Sequence, residues 1–259
     1  MQSLEKTSRV LDLFTPERPE WSITEVARAI GIAKSSAFGL LNSLAEVGIL
    51  QRSGRGRFRI GWRVASLARV LLDTEPVVRI ASAHMDRLVR QYGETVHLAT
   101  LQRGRVVYLD KREGTHAVRV AITNVGAELP PHGSGVGKVL LAHAPKHEVE
   151  LVLERYGLPK LTERTITDRD TFLKELERVR ALGYAYDLGE TIDDLCCVAA
   201  PIFNHAGVNV AAISFSVPAY RFQRQQAAYR NVILETARRI SVELLHEEEE
   251  SRWRRHKSA

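Results

Sequence analysis

One pattern near the N-terminus constrains the fold of this chain more than any other. A first amphipathic segment, residues 25–30, follows the potential capping residues Ser22 and Thr24 and ends at Gly31. Glycine readily adopts the left-handed conformation that closes many helices. Only two residues separate Gly31 from a second amphipathic segment, residues 34–48. Two short helices joined by so tight a turn are typical of a helix-turn-helix.

The second helix of such a pair presents its N-terminal residues to base edges in the major groove of DNA. We therefore expect one face to bind DNA and the other to pack in a core. The expected DNA-binding residues are Lys34, Ser35, Ser36, Phe38 and, one turn later, Asn42, and the predicted buried residues are Ala37, Leu40, Leu41, Leu44 and Val47. Hydroxyl groups can bind phosphates or bases, and an asparagine amide can bind adenine through two hydrogen bonds.

A basic, glycine-rich hairpin follows the second helix. Apolar and polar residues alternate in residues 49–52 and 58–61, on either side of a turn, which predicts a two-stranded wing. Its arginines are placed to follow phosphates or to enter a minor groove, and they are Arg52, Arg55, Arg57 and Arg59. A hairpin of this kind can also be solvated surface, and paired helices can be a protein-binding module.

The order of these parts favours DNA binding over those alternatives. An amphipathic helix over residues 4–14 precedes the helix pair, and a helical pattern resumes at Trp62 after the wing. We therefore predict a winged helix-turn-helix domain over residues 1–74 that binds double-stranded DNA. The formal net charge of +6 is compatible with this partner.

Composition excludes several other classes of protein. No apolar run reaches the roughly 18–20 residues that cross a bilayer, and the N-terminus lacks the apolar stretch of a signal peptide. Two adjacent cysteines, Cys196 and Cys197, suffice neither for a disulfide framework nor for a structural zinc site, and the histidines lack ligand spacing. We expect a cytoplasmic protein without membrane, metal or cofactor.

From about residue 75 the pattern changes to that of an α+β domain. Residues 75–90 predict a linker helix, and residues 91–247 predict a second domain followed by a charged tail at 248–259. Within that domain we predict strands at 95–101, 106–109, 117–122, 197–203 and 208–216, and helices at 135–143, 146–156, 168–182 and 222–247. Hairpin-connected strands with segregated helices favour α+β over a doubly wound sheet.

Residues 133–138, GSGVGK, invite a nucleotide-binding interpretation that fails. A P-loop needs a glycine six residues before the lysine and a serine or threonine after it, whereas this chain has His132 and Val139 there. A glycine turn entering a helix instead exposes backbone N–H groups that suit an anion such as a carboxylate. The alternative is a tight turn that serves packing alone.

Several segments of the chain resemble the IclR family of bacterial transcriptional regulators. They are residues 4–14, 23–31, 34–36, 56–61, 129–142 (LPPHGSGVGKVLLA), 183–187 (GYAYD), 197–203 and 211–218. The resemblance implies a winged helix-turn-helix joined to a GAF-like effector-binding domain. One position departs from the family, whose members usually carry an aromatic residue or histidine followed by arginine in the recognition helix. This chain has Phe38 followed by Gly39.

The resemblance also implies which residues bind the effector, a small aromatic, keto or hydroxy acid. They are Gly135, Val136, Asp187, Cys197, Ser214 and Ser216, with Val118, Ala121 and Leu129 as apolar wall. Ser214 and Ser216 lie two apart on one predicted strand, so both hydroxyls should face the same side. They could instead bond to the backbone or to each other. His97 and His132 are possible neighbours of the pocket.

We interpret the chain as a ligand-responsive regulator of a catabolic operon. It would bind an inverted-repeat operator as a homodimer or dimer of dimers, because one recognition helix covers only a few base pairs. Two alternatives stay open. An enzyme could use Cys197 as nucleophile, although no sequence motif identifies a base for it, or the sensor domain could respond only to a partner protein.

Overall fold

The computed structural model describes residues 2–116 and 125–257 of the 259-residue chain. The chain divides into two units, Met1–Thr74 and Glu75–Ala259, and each contains its own hydrophobic core. None of the described helices is apolar over a length that would cross a bilayer.

The first unit is a helix-turn-helix with a three-stranded sheet. Its elements are α1 (Gln2–Leu11), β1 (Trp21–Ser22), α2 (Ile23–Ile30), α3 (Lys34–Glu46), β2 (Leu50–Ser53), β3 (Arg57–Ile60) and α4 (Trp62–Thr74). The strands are antiparallel in the order β1-β3-β2, which confirms the predicted wing of β2 and β3. Sequence analysis missed β1, whose two residues pair with Phe58 and Arg57.

Ser22 and Gly31 set where α2 begins and ends. Of the two candidate capping residues, Ser22 caps the helix. Its hydroxyl accepts a hydrogen bond from the Glu25 amide at 3.4 Å, and the Glu25 carboxylate accepts one from the Ser22 amide at 2.8 Å. This reciprocal capping box satisfies two amides that the helix leaves free. Gly31 ends the helix with φ 71°, as predicted.

The core of the first unit lies between the helices and the sheet. The fully or nearly fully buried residues of this core include Val10, Val26, Ala37, Leu41, Leu44, Leu50 and Phe58. Two residues that we predicted to be buried are not: Leu40 is half-buried, and Val47 is 49% exposed. Val47 follows the last helical residue of α3, where the chain turns away from the helix and no longer keeps the helical periodicity.

In the residues that the structure describes, the second unit is a six-stranded antiparallel sheet with helices on both faces. Its elements are α5 (Pro76–Tyr92), β4 (Thr95–Gln102), β5 (Arg105–Arg112), β6 (Glu128–Leu129), α6 (Gly135–His143), α7 (Lys146–Tyr156), α8 (Arg169–Leu182), β7 (Ala185–Leu188), β8 (Leu195–Phe203), β9 (Asn209–Pro218) and α9 (Ala219–Lys257). The strand order is β6-β5-β4-β9-β8-β7. The α+β class is confirmed.

Most predicted elements of the second unit are confirmed. The helices predicted at 135–143, 146–156 and 168–182 correspond to α6, α7 and α8 almost to the residue. The short strands β6 and β7 were missed, and the strand predicted at 117–122 lies outside the described residues. The final helix continues to Lys257 through the segment that we predicted to be a charged tail.

Strand alternation gives the sheet two different faces. Along β9, Ile213 and Phe215 pack in a core with α5 and α9, whereas Ala212 packs in a second core with α6, α7 and α8. Successive side chains of a strand point to opposite faces, so Ser214 and Ser216 lie on the α6 side with Ala212. Both serines are buried.

Gly137 allows the start of α6 to approach the chain before it. A Cβ atom at this position would lie 2.1 Å from the Pro131 carbonyl oxygen, a distance that no real pair of these atoms adopts. We expect Gly137→Ala to lower the free energy of unfolding by about 1–3 kcal/mol or more, because backbone must shift to admit the methyl group. Urea titration of the full-length protein measures this change.

Gly135→Ala is the matched control two residues earlier. Its added Cβ would meet the nearest atom at 3.5 Å, an ordinary van der Waals distance. This variant should unfold at nearly the urea concentration of the unmodified protein. Equal stability of the two variants would contradict the close approach at Gly137.

Candidate DNA-binding and effector-binding sites

The outer face of α3 carries the residues that the sequence assigned to DNA. Lys34, Ser35, Ser36 and Phe38 are exposed, and Asn42 is half-buried. The opposite face supplies Ala37, Leu41 and Leu44 to the core. A helix that is anchored along one side and polar along the other can enter a major groove without losing its packing.

Two of the expected DNA contacts touch each other. The Arg52 guanidinium on β2 donates a hydrogen bond to the Asn42 side-chain oxygen at 2.8 Å. The bond restrains the rotation of the Asn42 amide and joins the wing to the recognition helix. Arg52 therefore orients Asn42 in addition to presenting a positive charge at this surface.

Arg57 has an intramolecular role that the arginine spacing did not indicate. Its guanidinium donates to the Glu25 carboxylate at 3.1 Å and to the Glu20 carbonyl oxygen at 3.1 Å. The Ser22 hydrogen bonds of the capping box, followed by the charges of Arg57 and Arg18, lower the pKa of Glu25 to about 2. The carboxylate thus stays ionised and ties the wing to the start of α2.

The other two wing arginines are exposed. Arg55 lies at the tip of the hairpin with φ 66°, and Arg59 lies on β3 beside Gln51 of the paired strand. In the amide orientation that satisfies both groups, the Gln51 oxygen accepts from Arg59 at 2.9 Å. Arg55 is the wing residue best placed to reach a phosphate, because its side chain extends from the tip into solvent.

The second candidate site is a row of buried polar groups on the α6 side of the large sheet. Asp187, Cys197 and Ser216 are direct neighbours across β7, β8 and β9. The Cys197 sulfur lies 3.2 Å from the Ser216 oxygen, which lies 3.2 Å from His97 Nδ1. Ser214 is paired with His97 in the strand register. Strand pairing therefore brings four of the expected effector residues together.

The glycine-rich start of α6 lies against this row. The Ser134 hydroxyl accepts from the Gly137 amide at 3.1 Å and so caps the helix. A Cβ built on Gly135 would lie 3.6 Å from that of Cys197, so the helix terminus and the strand are in close contact. Val136 is buried in the adjoining core. Among the expected wall residues, Leu129 is half-buried on β6, and Val118 and Ala121 lie outside the described residues.

Burial controls the protonation of this cluster. Desolvation, with a smaller contribution from the charge of Lys111, lowers the pKa of His97 to about 3, so the imidazole is neutral at physiological pH. Desolvation also raises the pKa of Asp187 to about 6, although the carboxylate accepts a hydrogen bond from the Glu190 amide at 2.6 Å. The row therefore offers neutral hydrogen-bonding groups and one carboxyl that titrates near neutrality.

A buried lysine lies behind the glycine turn. Lys138 Nζ donates to Glu190 at 2.6 Å and lies 3.6 Å from Glu175 on α8. Both partners are carboxylates, so this cation is already paired within the protein. The P-loop-like lysine is thus a structural group that joins α6, α8 and the loop after β7.

The cluster does not form an activated nucleophile. Desolvation, followed by the nearby Asp187, raises the pKa of the Cys197 thiol well above its usual range. Catalytic cysteines need the opposite shift, towards thiolate. Ser216 also separates the sulfur from His97. In the described part of the chain no three His, Cys, Asp or Glu side chains are arranged to hold a metal ion.

Sequence reasoning missed two residues of this cluster. Tyr108 on β5 packs edge-on against His97, with ring centroids 5.1 Å apart, and is buried on the same side of the sheet. The Glu190 amide donates a hydrogen bond to Asp187, and the Glu190 carboxylate accepts one from Lys138. Strand alternation could have indicated Tyr108, whereas nothing local marks Glu190. His132, a possible neighbour of the pocket, has its Nε2 atom 2.8 Å from the Pro159 carbonyl oxygen.

Two family models match this chain and together cover most of it. Residues 3–54 match the IclR helix-turn-helix domain, and residues 70–242 match the bacterial transcriptional regulator IclR C-terminal domain. The chain belongs to the IclR family. Its fold is that of a DNA-binding transcriptional regulator, as the resemblance predicted.

Individual relatives agree with this assignment over nearly the whole chain. The HTH-type transcriptional regulator XynR of Escherichia coli is 32% identical to this chain, in an alignment that covers 83% of this chain and 86% of XynR. KdgR of the same organism is 30% identical over 94% of this chain and 93% of its own length. An IclR homologue from Microbacterium hydrocarbonoxydans, solved with 4-hydroxybenzoate, has a TM-score of 0.79 at 28% identity and covers 93% of this chain and 98% of its own.

Replacing Arg55 and replacing Arg57 by alanine should have different effects on the DNA affinity and the stability of this IclR-family protein. Arg55→Ala should leave thermal stability unchanged and flatten the dependence of log affinity on log salt by about 0.9, the loss of one phosphate contact. Arg57→Ala should lower the melting temperature of the first unit, because Glu25 and the Glu20 carbonyl lose their partner. Fluorescence anisotropy at several salt concentrations and circular dichroism measure the two quantities. An unchanged slope for Arg55→Ala would place the wing tip away from the DNA backbone.

Proposed function

We propose that this chain is an effector-responsive regulator that binds a small organic acid in its second unit and controls a catabolic operon. The observation that carries the proposal is the contact between the glycine-rich start of α6 and the row formed by Asp187, Cys197 and Ser216. A helix N-terminus favours a carboxylate. Neutral hydroxyl, thiol and imidazole groups can bind the rest of a polar ligand without burying an unpaired charge.

The chemistry of the cluster supports an acid that also carries a hydroxyl or keto group. Ser214, Ser216 and His97 can donate or accept, depending on tautomer and rotamer. Tyr108 and the adjoining apolar core suit a planar or aromatic body. The complex of a related protein with 4-hydroxybenzoate, an aromatic hydroxy acid, agrees with such a ligand. An effector bound here would bias the paired DNA-binding units between two arrangements.

The two serines of β9 provide the first test. In the double variant Ser214→Ala and Ser216→Ala, effector affinity should fall between about fivefold and 150-fold, because each hydroxyl contributes about 0.5–1.5 kcal/mol, and further if a serine bonds to the carboxylate of the effector. Operator binding should persist. A thermal-shift screen of aromatic, keto and hydroxy acids identifies the ligand, and calorimetry measures its affinity.

Ile213→Val is the matched control on the same strand. Ile213 is buried on the opposite face, with α5 and α9, so this variant should lose stability and keep the effector affinity. Normal affinity in the double serine variant would place the effector site elsewhere. If none of the acids in the screen raises the melting temperature, a regulator that senses a partner protein would be favoured.

Binding of an anionic effector should depend on pH through Asp187. Below about pH 6 this buried carboxyl is neutral, and above it the carboxylate repels the acid. Affinity should therefore fall as pH rises through about 6, by at most about tenfold per unit for one linked proton. Asp187→Asn should bind with little pH dependence, which separates Asp187 from the nearby Glu190 and Lys138. Affinity that rises with pH would contradict this coupling.

We also propose that the protein binds an inverted-repeat operator as a homodimer, or as a dimer of dimers. A single α3 spans too few base pairs for useful specificity, and two symmetric copies double the number that is read. Sedimentation with and without operator DNA measures the assembly. Specific binding by a protein that sediments as a monomer would exclude the proposal.

A further inference from the structure

The outer face of α3 carries one aromatic side chain, that of Phe38, next to a residue without a side chain, Gly39. Lys34, Phe38 and Asn42 lie four residues apart and so share one side of the helix. Gly39 follows Phe38 on the exposed surface. These residues occupy the first three turns, the part of a recognition helix that reaches base edges.

Phe38 is out of place on a solvated surface. Its side chain is 55% exposed, whereas Ala37 before it and Leu41 one turn later are completely buried. The ring lies between Lys34 and Asn42 along the polar side of the helix. An apolar group at the centre of a polar binding face suits a partner that presents an apolar atom at the corresponding point.

Neither packing nor backbone conformation requires a glycine at position 39. A Cβ atom there would have no heavy atom within 4 Å, and the backbone does not have the positive φ that favours glycine. Glycine also weakens a helix relative to alanine. The fold of this unit therefore does not require glycine at position 39. The absence of a side chain there would, however, let another molecule approach the helix backbone closely.

We propose that Phe38 contacts the C5-methyl group of a thymine in the major groove, and that Gly39 sets the close approach that this contact needs. The inference rests on the proposed DNA-binding role of α3. Thymine presents the only methyl group among the base edges of the major groove, and phenylalanine can pack against it. Asn42, held by Arg52, then binds a nearby adenine, so the half-site contains an A·T pair at each of the two positions.

The composition of α3 agrees with this choice of bases. Guanine is most often read by a bidentate arginine, and α3 contains no arginine and only one cation, Lys34. Lys34 is the first residue of the helix and can bind a phosphate or a single base acceptor. Phe38 and Asn42 are then the two groups of α3 that favour A·T pairs.

The test removes single methyl groups from the DNA. Wild-type protein is used to enrich its preferred site from a library of random duplexes, and each thymine of that site is replaced in turn by deoxyuridine, which keeps the base pair and lacks the methyl group. We expect one thymine in each half-site at which the replacement weakens binding about three- to fivefold, the effect of one buried methyl group. A half-site without any such thymine would overturn the proposal.

Two variants assign the effect to the ring. Phe38→Ala should bind thymine and deoxyuridine duplexes equally, with an affinity near that of wild type for deoxyuridine. Val47→Ala is the matched control, because Val47 is an exposed apolar residue directly after the C-terminal end of α3. It should keep the full preference for thymine. A thymine preference that survives Phe38→Ala would also overturn the proposal.

Gly39→Ala tests the close approach. The free protein has room for the added methyl group, so its melting temperature should stay the same or rise. Affinity for the enriched site should nevertheless fall about tenfold or more, and the deoxyuridine effect should shrink. Unchanged affinity would mean that Gly39 has no role in the approach.

The design separates this inference from the proposed DNA-binding role. If no duplex is enriched and salt-dependent binding is absent, the proposed function itself fails. If a site is enriched and Lys34→Ala weakens binding to it while Phe38→Ala retains the deoxyuridine effect, the helix binds DNA and only the thymine assignment is wrong.

Discussion

The second unit depends on the burial of its six-stranded sheet on both faces. Because α5 and α9 cover one face and α6 to α8 cover the other, polar side chains on the covered strands, including Asp187 on the edge strand β7, are shielded from bulk water. Each must find a partner within the protein or in a ligand. The row of Asp187, Cys197 and Ser216 with His97 is the result. The same burial keeps His97 neutral and raises the pKa of Asp187.

Glu25 has a comparable role in the first unit. One carboxylate caps α2 through Ser22 and also binds Arg57 of the wing and Arg18 of the loop before β1. Helix start and wing are thereby held by a single charged group. Together with the bond between Arg52 and Asn42, this arrangement restrains the wing and α3 relative to each other. A fixed geometry of wing and helix is what reading DNA in adjacent grooves requires.

Short elements were the ones that sequence analysis missed. The helices α6, α7 and α8 have 9 to 14 residues each, which is long enough for a pattern to show, and they were predicted almost to the residue. The strands β1, β6 and β7 have two to four residues each, which is too short for any period, and they exist because a longer strand pairs with them. Val47 was misplaced for a related reason, since helical periodicity was extended past the end of α3.

The sequence by itself determined the family, the helix-turn-helix and the common side of Ser214 and Ser216, because these follow from motifs and from local periods of 3.6 and 2 residues. Tertiary structure alone decided which distant groups meet. Arg57 binds Glu25 from 32 residues away, Lys138 binds Glu190 from 52, and His97 meets Ser216 from 119. Such partners are chosen by strand order and layer packing, which bring together side chains whose separation along the chain carries no signal.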